Sequence, residues 1–143
     1  MIFKQWQQVL DGTKTQTRRP CYTGAPWYDA PWRGNLKSLV TPTVVSINMR
    51  TGKSRTRWEE GKTYAVQPGR GKKAVGRIRI TKIRRERLQE IKPEEFRREG
   101  LISGAPIMVL FFIELWDGIY HKPYRWEDNP EVWVLDFDLV ELR

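Results

Sequence analysis

Residues 12–19, GTKTQTRR, join a predicted helix to a predicted strand. Upstream, apolar side chains at positions 3, 6, 9 and 10 recur at helical spacing, and Gly12 follows them as glycine does at a left-handed helix end. Downstream, the threonines favour an extended backbone from Lys14 to Arg19, and Pro20 stops it. The stretch therefore predicts a short N-terminal helix followed at once by a strand.

Alternating and β-branched segments predict further strands, over residues 43–50, 53–58, 63–66, 74–83 and 132–142. The turn at Thr51-Gly52 joins the first two as a hairpin, and a slip in the apolar phase predicts a bulge near Gly76. Helices are predicted over 93–100 and over 107–120, the latter capped by Ser103, although its first half could form a buried strand. We expect an α+β fold, a small, closed, mostly antiparallel β-barrel of about six strands with inserted helices.

The chain is expected to form a single domain over residues 1–143. Prolines, glycines and aromatic residues crowd positions 20–42, which predicts a long loop or lid within an insertion of about residues 20–60. The longest apolar run, residues 107–113, falls far short of the roughly 20 residues of a membrane span. We therefore expect a cytoplasmic protein with no membrane partner; the sequence leaves its oligomeric state open.

Composition limits the chemistry that the chain can perform. One cysteine, Cys21, cannot form an internal disulfide, and with one histidine, His121, the chain has too few soft ligands for a zinc site. We expect neither a metal nor a cofactor, so any hydrolysis falls to Lys, Thr, Ser, Tyr, Asp and Glu side chains. Cys21 and His121 are interpreted as incidental.

The positive charge is concentrated in the middle of the chain. The formal net charge is +9, and residues 50–99 hold 17 Lys and Arg against 7 Glu. Such a basic stretch favours polyanions, and nucleic acid is the natural partner. A solvated basic surface that aids solubility is the alternative.

The motif at residues 12–19 resembles a known signature. Gly12, Lys14, Thr15, Thr17 and Arg19 match the Gly-x-Lys-Thr-x-Thr-x-Arg pattern of ASCH domains, which belong to the PUA-like superfamily. Segments 61–66, 75–83, 88–100 and 129–134 are similar to later parts of the family, in the same order. The resemblance covers nearly the whole chain apart from residues 20–60.

This resemblance implies an RNA-related function. One ASCH branch hydrolyses N4-acetylcytidine and related N4-acylated cytidines with a lysine, a threonine and a glutamate, which fall here on Lys14, Thr17 and Glu99. Glu94 and Glu95 are alternatives for the glutamate. A modified cytidine nucleoside or RNA is the implied substrate, with Arg19, Thr15 and Tyr64 as candidate binding residues.

The chemistry of amide hydrolysis assigns a role to each group. Thr17 can attack the carbonyl carbon, and Lys14 can accept its proton if burial or nearby positive charge lowers its pKa. Glu99 can hold Lys14 in place or protonate the leaving amine. On a regular strand Lys14 and Thr17 would point to opposite faces, so the turn after Gly12 must place Lys14 before regular pairing begins, or a bulge must intervene.

Each of these residues also has a simpler, purely structural interpretation. Lys14 and Thr17 can belong to a solvated strand, and Glu99 can pair with Arg97 at the surface. Arg19 can bind phosphate or pyrimidine, or only pair with the acidic C-terminal strand. Tyr64 and Trp58 can stack on a base or simply pack in the core. Two other functions also remain open: an RNA-binding ASCH module without catalysis, and a metal-independent ribonuclease that acts on single-stranded RNA through Lys14 and an acid.

Overall fold

The structure is a computed structural model that describes residues 1–24, 26–30, 41–101 and 107–143. Its helices are α1 (Trp6–Asp11), α2 (Glu95–Arg98) and α3 (Ile107–Ile119), with single 3-10 turns at Leu88–Glu90 and Trp126–Asp128. Its strands are β1 (Gln16–Pro20), β2 (Trp27–Asp29), β3 (Thr43–Asn48), β4 (Ser54–Glu59), β5 (Thr63–Val66), β6 (Gly76–Arg87) and β7 (Glu131–Leu142). The expected α+β class is confirmed.

The strands form two antiparallel sheets rather than the expected closed barrel. One sheet has the order β1-β7-β6-β5 and the other the order β2-β3-β4. The barrel prediction is wrong for the described residues because the short strands β1 and β5 stay at opposite edges of the first sheet, where each pairs only with its inner neighbour. The second sheet lies within the predicted insertion: β3 and β4 form the predicted hairpin, and β2 comes from the part predicted to be a loop or lid.

Two 12-residue strands, β6 and β7, form the centre of the first sheet. They pair from Gly76 opposite Leu142 to Arg87 opposite Glu131, so β6 extends four residues beyond its predicted end. Register shifts at Arg77/Ile78 and Ile80/Lys82 confirm the bulge expected from the apolar phase slip. The bulges let β6 present its apolar residues to the core despite the broken alternation.

Several local predictions are confirmed by the element boundaries. The hairpin of β3 and β4, the strand β5 and the helix α3 lie where the sequence placed them, and the strand alternative for the start of α3 is wrong. The first helix begins at Trp6, so Phe3 of the predicted helical spacing lies before it, beside the bridge between Ile2 and Gln67. Ser103, the expected cap of α3, lies outside the described residues, as does the 31–40 part of the predicted lid.

The apolar core lies on both faces of the central sheet. Helix α3 packs Met108, Phe112 and Trp116, spaced four residues apart, against Val132 and Val134 of β7. On the other face, Trp133 and Leu135 pack with residues of β3 and β4, so the second sheet covers that side. No helix in the described ranges combines the length and the apolar character needed to cross a membrane.

A buried carboxylate, Asp29, joins the two sheets. It accepts hydrogen bonds from the indole of Trp133 in β7 at 2.7 Å, from Arg57 in β4 at 2.7 Å, and from the Ser46 hydroxyl in β3. The backbone N–H of Tyr22 donates to it at 2.9 Å. Its bond to Trp133 links the second sheet to the first, and its bonds to Arg57 and Ser46 hold it within the second sheet.

Candidate functional site

The turn after α1 places Lys14 before the regular strand. Gly12 adopts a left-handed conformation with φ 85° at the end of α1, and the Lys14 N–H donates to the Gln8 carbonyl at 3.0 Å. Lys14 then forms an isolated antiparallel bridge with Glu99, and β1 begins only at Gln16. Lys14 therefore lies before the regular strand, and both Lys14 and Thr17 are among the residues that line one cavity.

This cavity has a volume of about 320 Å³ and lies between β1, α3 and the edge of the second sheet. This volume is at the lower end of the range of volumes found for small-molecule binding sites. It is lined by Ile2, Phe3, Lys4, Gln5, Lys14, Thr17, Arg18, Arg19, Pro20, Tyr22, Arg57, Trp58, Glu99, Leu101, Phe112, Leu115, Trp116, Ile119 and Tyr120. The lining thus combines an aromatic wall with a group of charged side chains.

Glu99 reaches the cavity because it directly follows α2. The next residue, Gly100, has φ 95°, a conformation that ends the helix and turns the chain beside Lys14. The Lys14 ammonium donates to the Glu99 carbonyl oxygen at 2.9 Å and to its Oε1 at 3.2 Å, and both side chains are 5 % exposed. Glu99 therefore pairs with Lys14 inside the protein and not with Arg97 at the surface.

The second oxygen of Glu99 belongs to a buried ionic network centred on Arg18. Arg18 donates to Glu99 Oε2 at 2.7 Å, to Glu95 at 2.9 Å and to Glu86 at 2.6 Å, and its side chain is fully buried. Arg84 closes the network by pairing with Glu86 at 2.6 Å and with Glu95. Because both oxygens of Glu99 are held by cations, its orientation is fixed.

The two alternative acids lie elsewhere. Glu95 is buried, but its carboxylate pairs with Arg18 and Arg84 and does not line the cavity. Glu94 is exposed at the start of α2. Glu99 is the one of the three candidate glutamates whose side chain lines the cavity.

The environment of Lys14 lowers the pKa of its ammonium group. Burial lowers the pKa of the Lys14 ammonium below its ordinary value of 10.5, and the positive charges of Arg19 and Arg18 lower it further. Glu99 acts in the opposite direction, but the net direction is downward. At a given pH, a larger fraction of Lys14 than of a lysine in water is therefore the neutral amine, which is the form that can accept a proton.

The predicted binding residues separate into two groups. Arg19 lines the cavity, where its guanidinium donates to the Ile2 carbonyl at 2.7 Å and lies 5.1 Å from the centre of the Phe3 ring. Thr15 is exposed and uses its backbone to pair with Arg98 and Phe137. Tyr64 packs beside the core, its hydroxyl accepting from the Glu59 N–H at 2.8 Å, and is not among the lining residues.

One wall of the cavity comes from the 20–60 segment. Arg57 of β4 lies over the rings of Tyr22 and Trp58, with its central carbon 4.3 and 4.1 Å from the ring centres. Asp29 and the Pro20 carbonyl hold the same guanidinium at 2.7 and 3.1 Å. Arg57 was not among the predicted site residues because its contacts depend on how the second sheet packs against the first. The aromatic residues of the 20–60 segment were the sequence feature that could have indicated this wall.

Other reactive groups lie outside this arrangement. Cys21 is buried, and burial together with the charge of Asp29 raises the pKa of its thiol to about 11, so the thiolate is scarce near neutral pH. Within residues 1–24, 26–30, 41–101 and 107–143, no group of three or more His, Cys, Asp or Glu side chains is arranged to hold a metal ion.

Comparison with solved structures identifies the fold. A crystal structure of an Enterococcus faecalis V583 protein, assigned to the family DUF984, matches 96% of this chain and 71% of its own, with 14% identity and a TM-score of 0.57. An ASCH domain from Lactobacillus crispatus JV V101 matches 95% of this chain and 70% of its own, with 14% identity and a TM-score of 0.50. The chain has an ASCH-like fold. No protein-family model matches it, and no curated protein sequence is significantly similar to it.

Proposed function

We propose that the protein is a metal-independent amidohydrolase that removes the acyl group from N4-acylated cytidine or a similar modified nucleoside. The observation that carries this proposal is the convergence of Lys14, Thr17 and Glu99 on one small cavity, although Lys14 and Glu99 are 85 positions apart in the sequence. All three residues are at most 5 % exposed. A solvated strand face would not bury them in this way.

The proposed reaction begins at the acyl carbonyl carbon. The Thr17 hydroxyl oxygen attacks that carbon while the neutral Lys14 amine takes its proton. The tetrahedral intermediate then expels the N4 amine of cytosine, which receives the proton from the Lys14 ammonium. Water attacks the acyl ester on Thr17, again with Lys14 as base, and releases the free acid and the restored hydroxyl.

The geometry favours one of the two roles considered for Glu99. Both of its carboxylate oxygens already accept charge-assisted hydrogen bonds, one from Lys14 and one from Arg18. A carboxylate held in this way orients the Lys14 ammonium and is poorly suited to protonating the leaving amine. In this proposal Glu99 is a positioning residue, and Lys14 carries the proton.

The test is direct incubation of the purified protein with N4-acetylcytidine. Cytidine and acetate should form in equal amounts, and both Thr17→Ala and Lys14→Ala should abolish the reaction. Thr13→Ala and Lys53→Ala are matched controls because both residues are exposed and lie outside the cavity. Activity that survives both Thr17→Ala and Lys14→Ala would contradict the proposal.

RNA binding is a second candidate function, favoured by exposed cations on and before β6. The exposed basic side chains there are Arg70, Lys72, Lys73, Arg79, Lys82, Arg85 and Arg87. An RNA-binding module should show salt-dependent affinity that Thr17→Ala leaves unchanged. The ribonuclease alternative predicts metal-free loss of intact single-stranded RNA that Lys14→Ala abolishes.

A further inference from the structure

The cavity carries more positive charge than its own carboxylate neutralises. Five cationic side chains line it, those of Lys4, Lys14, Arg18, Arg19 and Arg57, against the single carboxylate of Glu99. A neutral nucleoside would not require this surplus. The distribution of ion pairs shows which cations remain available.

Three of the cations have carboxylate partners. Lys14 pairs with Glu99, Arg57 pairs with Asp29, and Arg18 pairs with three glutamates behind the cavity wall. Within the part of the chain that the structure describes, neither Arg19 nor Lys4 lies within ion-pair distance of a carboxylate. The unneutralised charge is therefore located at Arg19 and Lys4.

Arg19 is anchored without losing its charge. One terminal nitrogen donates to the Ile2 carbonyl, and the guanidinium lies over Phe3, so the side chain is oriented by a neutral acceptor and a ring. A guanidinium has five N–H donors, and this single bond leaves several of them for a ligand. Lys4 is exposed among the lining residues and adds a second, more mobile charge.

Arg19 also faces the same side as the proposed nucleophile. Thr17 and Arg19 are two residues apart on β1, so their side chains share one face of the strand, about 7 Å apart along it. A ligand whose acyl group meets Thr17 can therefore place another group against Arg19. The forked donors of arginine match the oxygen atoms of a phosphate.

We propose that the substrate is a nucleoside monophosphate, an N4-acylated cytidine 5′-phosphate, whose phosphate is bound by Arg19 with help from Lys4. This inference rests on the proposed function for the identity of the acylated base. The volume of about 320 Å³ suits one small ligand, which favours a free mononucleotide over a longer RNA strand.

The test measures binding of the unacylated products, which does not depend on hydrolysis. Calorimetry with cytidine and with cytidine 5′-monophosphate should show about 10- to 100-fold tighter binding of the monophosphate, as expected for charge-assisted hydrogen bonds. Arg19→Gln should remove most of this preference, and Lys4→Gln should reduce it less because Lys4 is exposed. Arg97→Gln is the matched control, since Arg97 is exposed and outside the cavity.

Three results would overturn the inference: equal binding of cytidine and its monophosphate, a preference that survives Arg19→Gln, or tighter Arg19-dependent binding of a short RNA than of the mononucleotide. The proposed hydrolase activity is judged separately. An Arg19-dependent preference for the monophosphate, with no hydrolysis of N4-acetylcytidine or its 5′-phosphate, would support the phosphate site and refute the amidohydrolase.

Discussion

Replacing Arg18 by methionine tests whether the buried ionic network organises the site. The Arg18 side chain is fully buried and contacts the carboxylates of Glu86, Glu95 and Glu99 at 2.6 to 2.9 Å. Methionine has a similar length and fills much of the space, but it supplies neither charge nor donors. Arg18→Met therefore leaves three carboxylates short of a cation in a buried setting.

The expected cost follows from that imbalance. Removing one partner of a buried ion pair costs roughly 3–5 kcal/mol, because the remaining charge is desolvated without compensation. We expect Arg18→Met to lower the free energy of unfolding by about 4 kcal/mol at pH 7. Arg84→Met is the matched control: Arg84 contacts two of the same glutamates, but its side chain is 33% exposed, so its loss should cost about 1 kcal/mol.

The pH dependence gives the prediction a second readout. Burial tends to raise the pKa of the Glu95 carboxyl, but the Arg18 hydrogen bond and the charges of Arg18 and Arg84 bring it below its usual value of 4.5. In the wild type, ionised Glu95 therefore stabilises the fold above pH 4.5, and this contribution is lost as the pH falls through the lower folded pKa. Without Arg18, burial dominates and the folded pKa rises.

Urea denaturation at pH 7 and at about pH 4.5 measures both effects. The deficit of Arg18→Met relative to wild type should be larger at pH 7, where the Glu95 carboxylate is ionised, than at acidic pH, where it can be protonated. A loss below about 1 kcal/mol at pH 7, or a loss equal to that of Arg84→Met and independent of pH, would refute the reasoning.

Three further changes probe the scaffold and the site. Asp29→Asn should lower the free energy of unfolding in urea by about 3 kcal/mol, since this carboxylate accepts from Trp133 and three other donors; an unchanged midpoint would refute its joining role. Gly100→Ala should reduce both the free energy of unfolding and the rate of hydrolysis, because φ is 95° and the new Cβ would lie 3.2 Å from Lys14 Cβ. Gly118→Ala is the control, since open space surrounds that position. Equal effects of the two substitutions would contradict this expectation. The pH profile of kcat/KM should rise with an apparent pKa below 10.5, and Lys14→Arg should abolish activity; a profile that rises only at or above pH 10.5 would exclude Lys14 as the base.

Local patterns along the chain predicted much of the fold. Strand β5 has its predicted bounds, and α3 starts at the predicted residue, because alternation and helical spacing are properties of adjacent residues. The prediction of a closed barrel was wrong because closure depends on whether the two edge strands pair with each other. The pattern of residues adjacent in the sequence does not indicate that pairing. Strand β2 was missed because prolines and glycines surround its three residues.

The same distinction between local patterns and long-range contacts applies to the candidate site. Lys14, Thr17 and Glu99 were named from a resemblance, and the structure brings them to one cavity. Arg18 was not among the predicted site residues, because its burial depends on three glutamates, which lie in β6, in α2 and directly after α2. Arg57 was missed for the same reason, since β4 reaches the cavity only when the second sheet docks.

Hydrolysis of N4-acetylcytidine by the wild type and by Thr17→Ala, with cytidine and acetate quantified at equal protein concentration, tests the central claim most directly. The account predicts stoichiometric products with the wild type and none above the uncatalysed background with Thr17→Ala, while Thr13→Ala retains full activity. Wild-type protein that hydrolyses neither N4-acetylcytidine nor its 5′-phosphate, or a Thr17→Ala variant as active as the wild type, would contradict it.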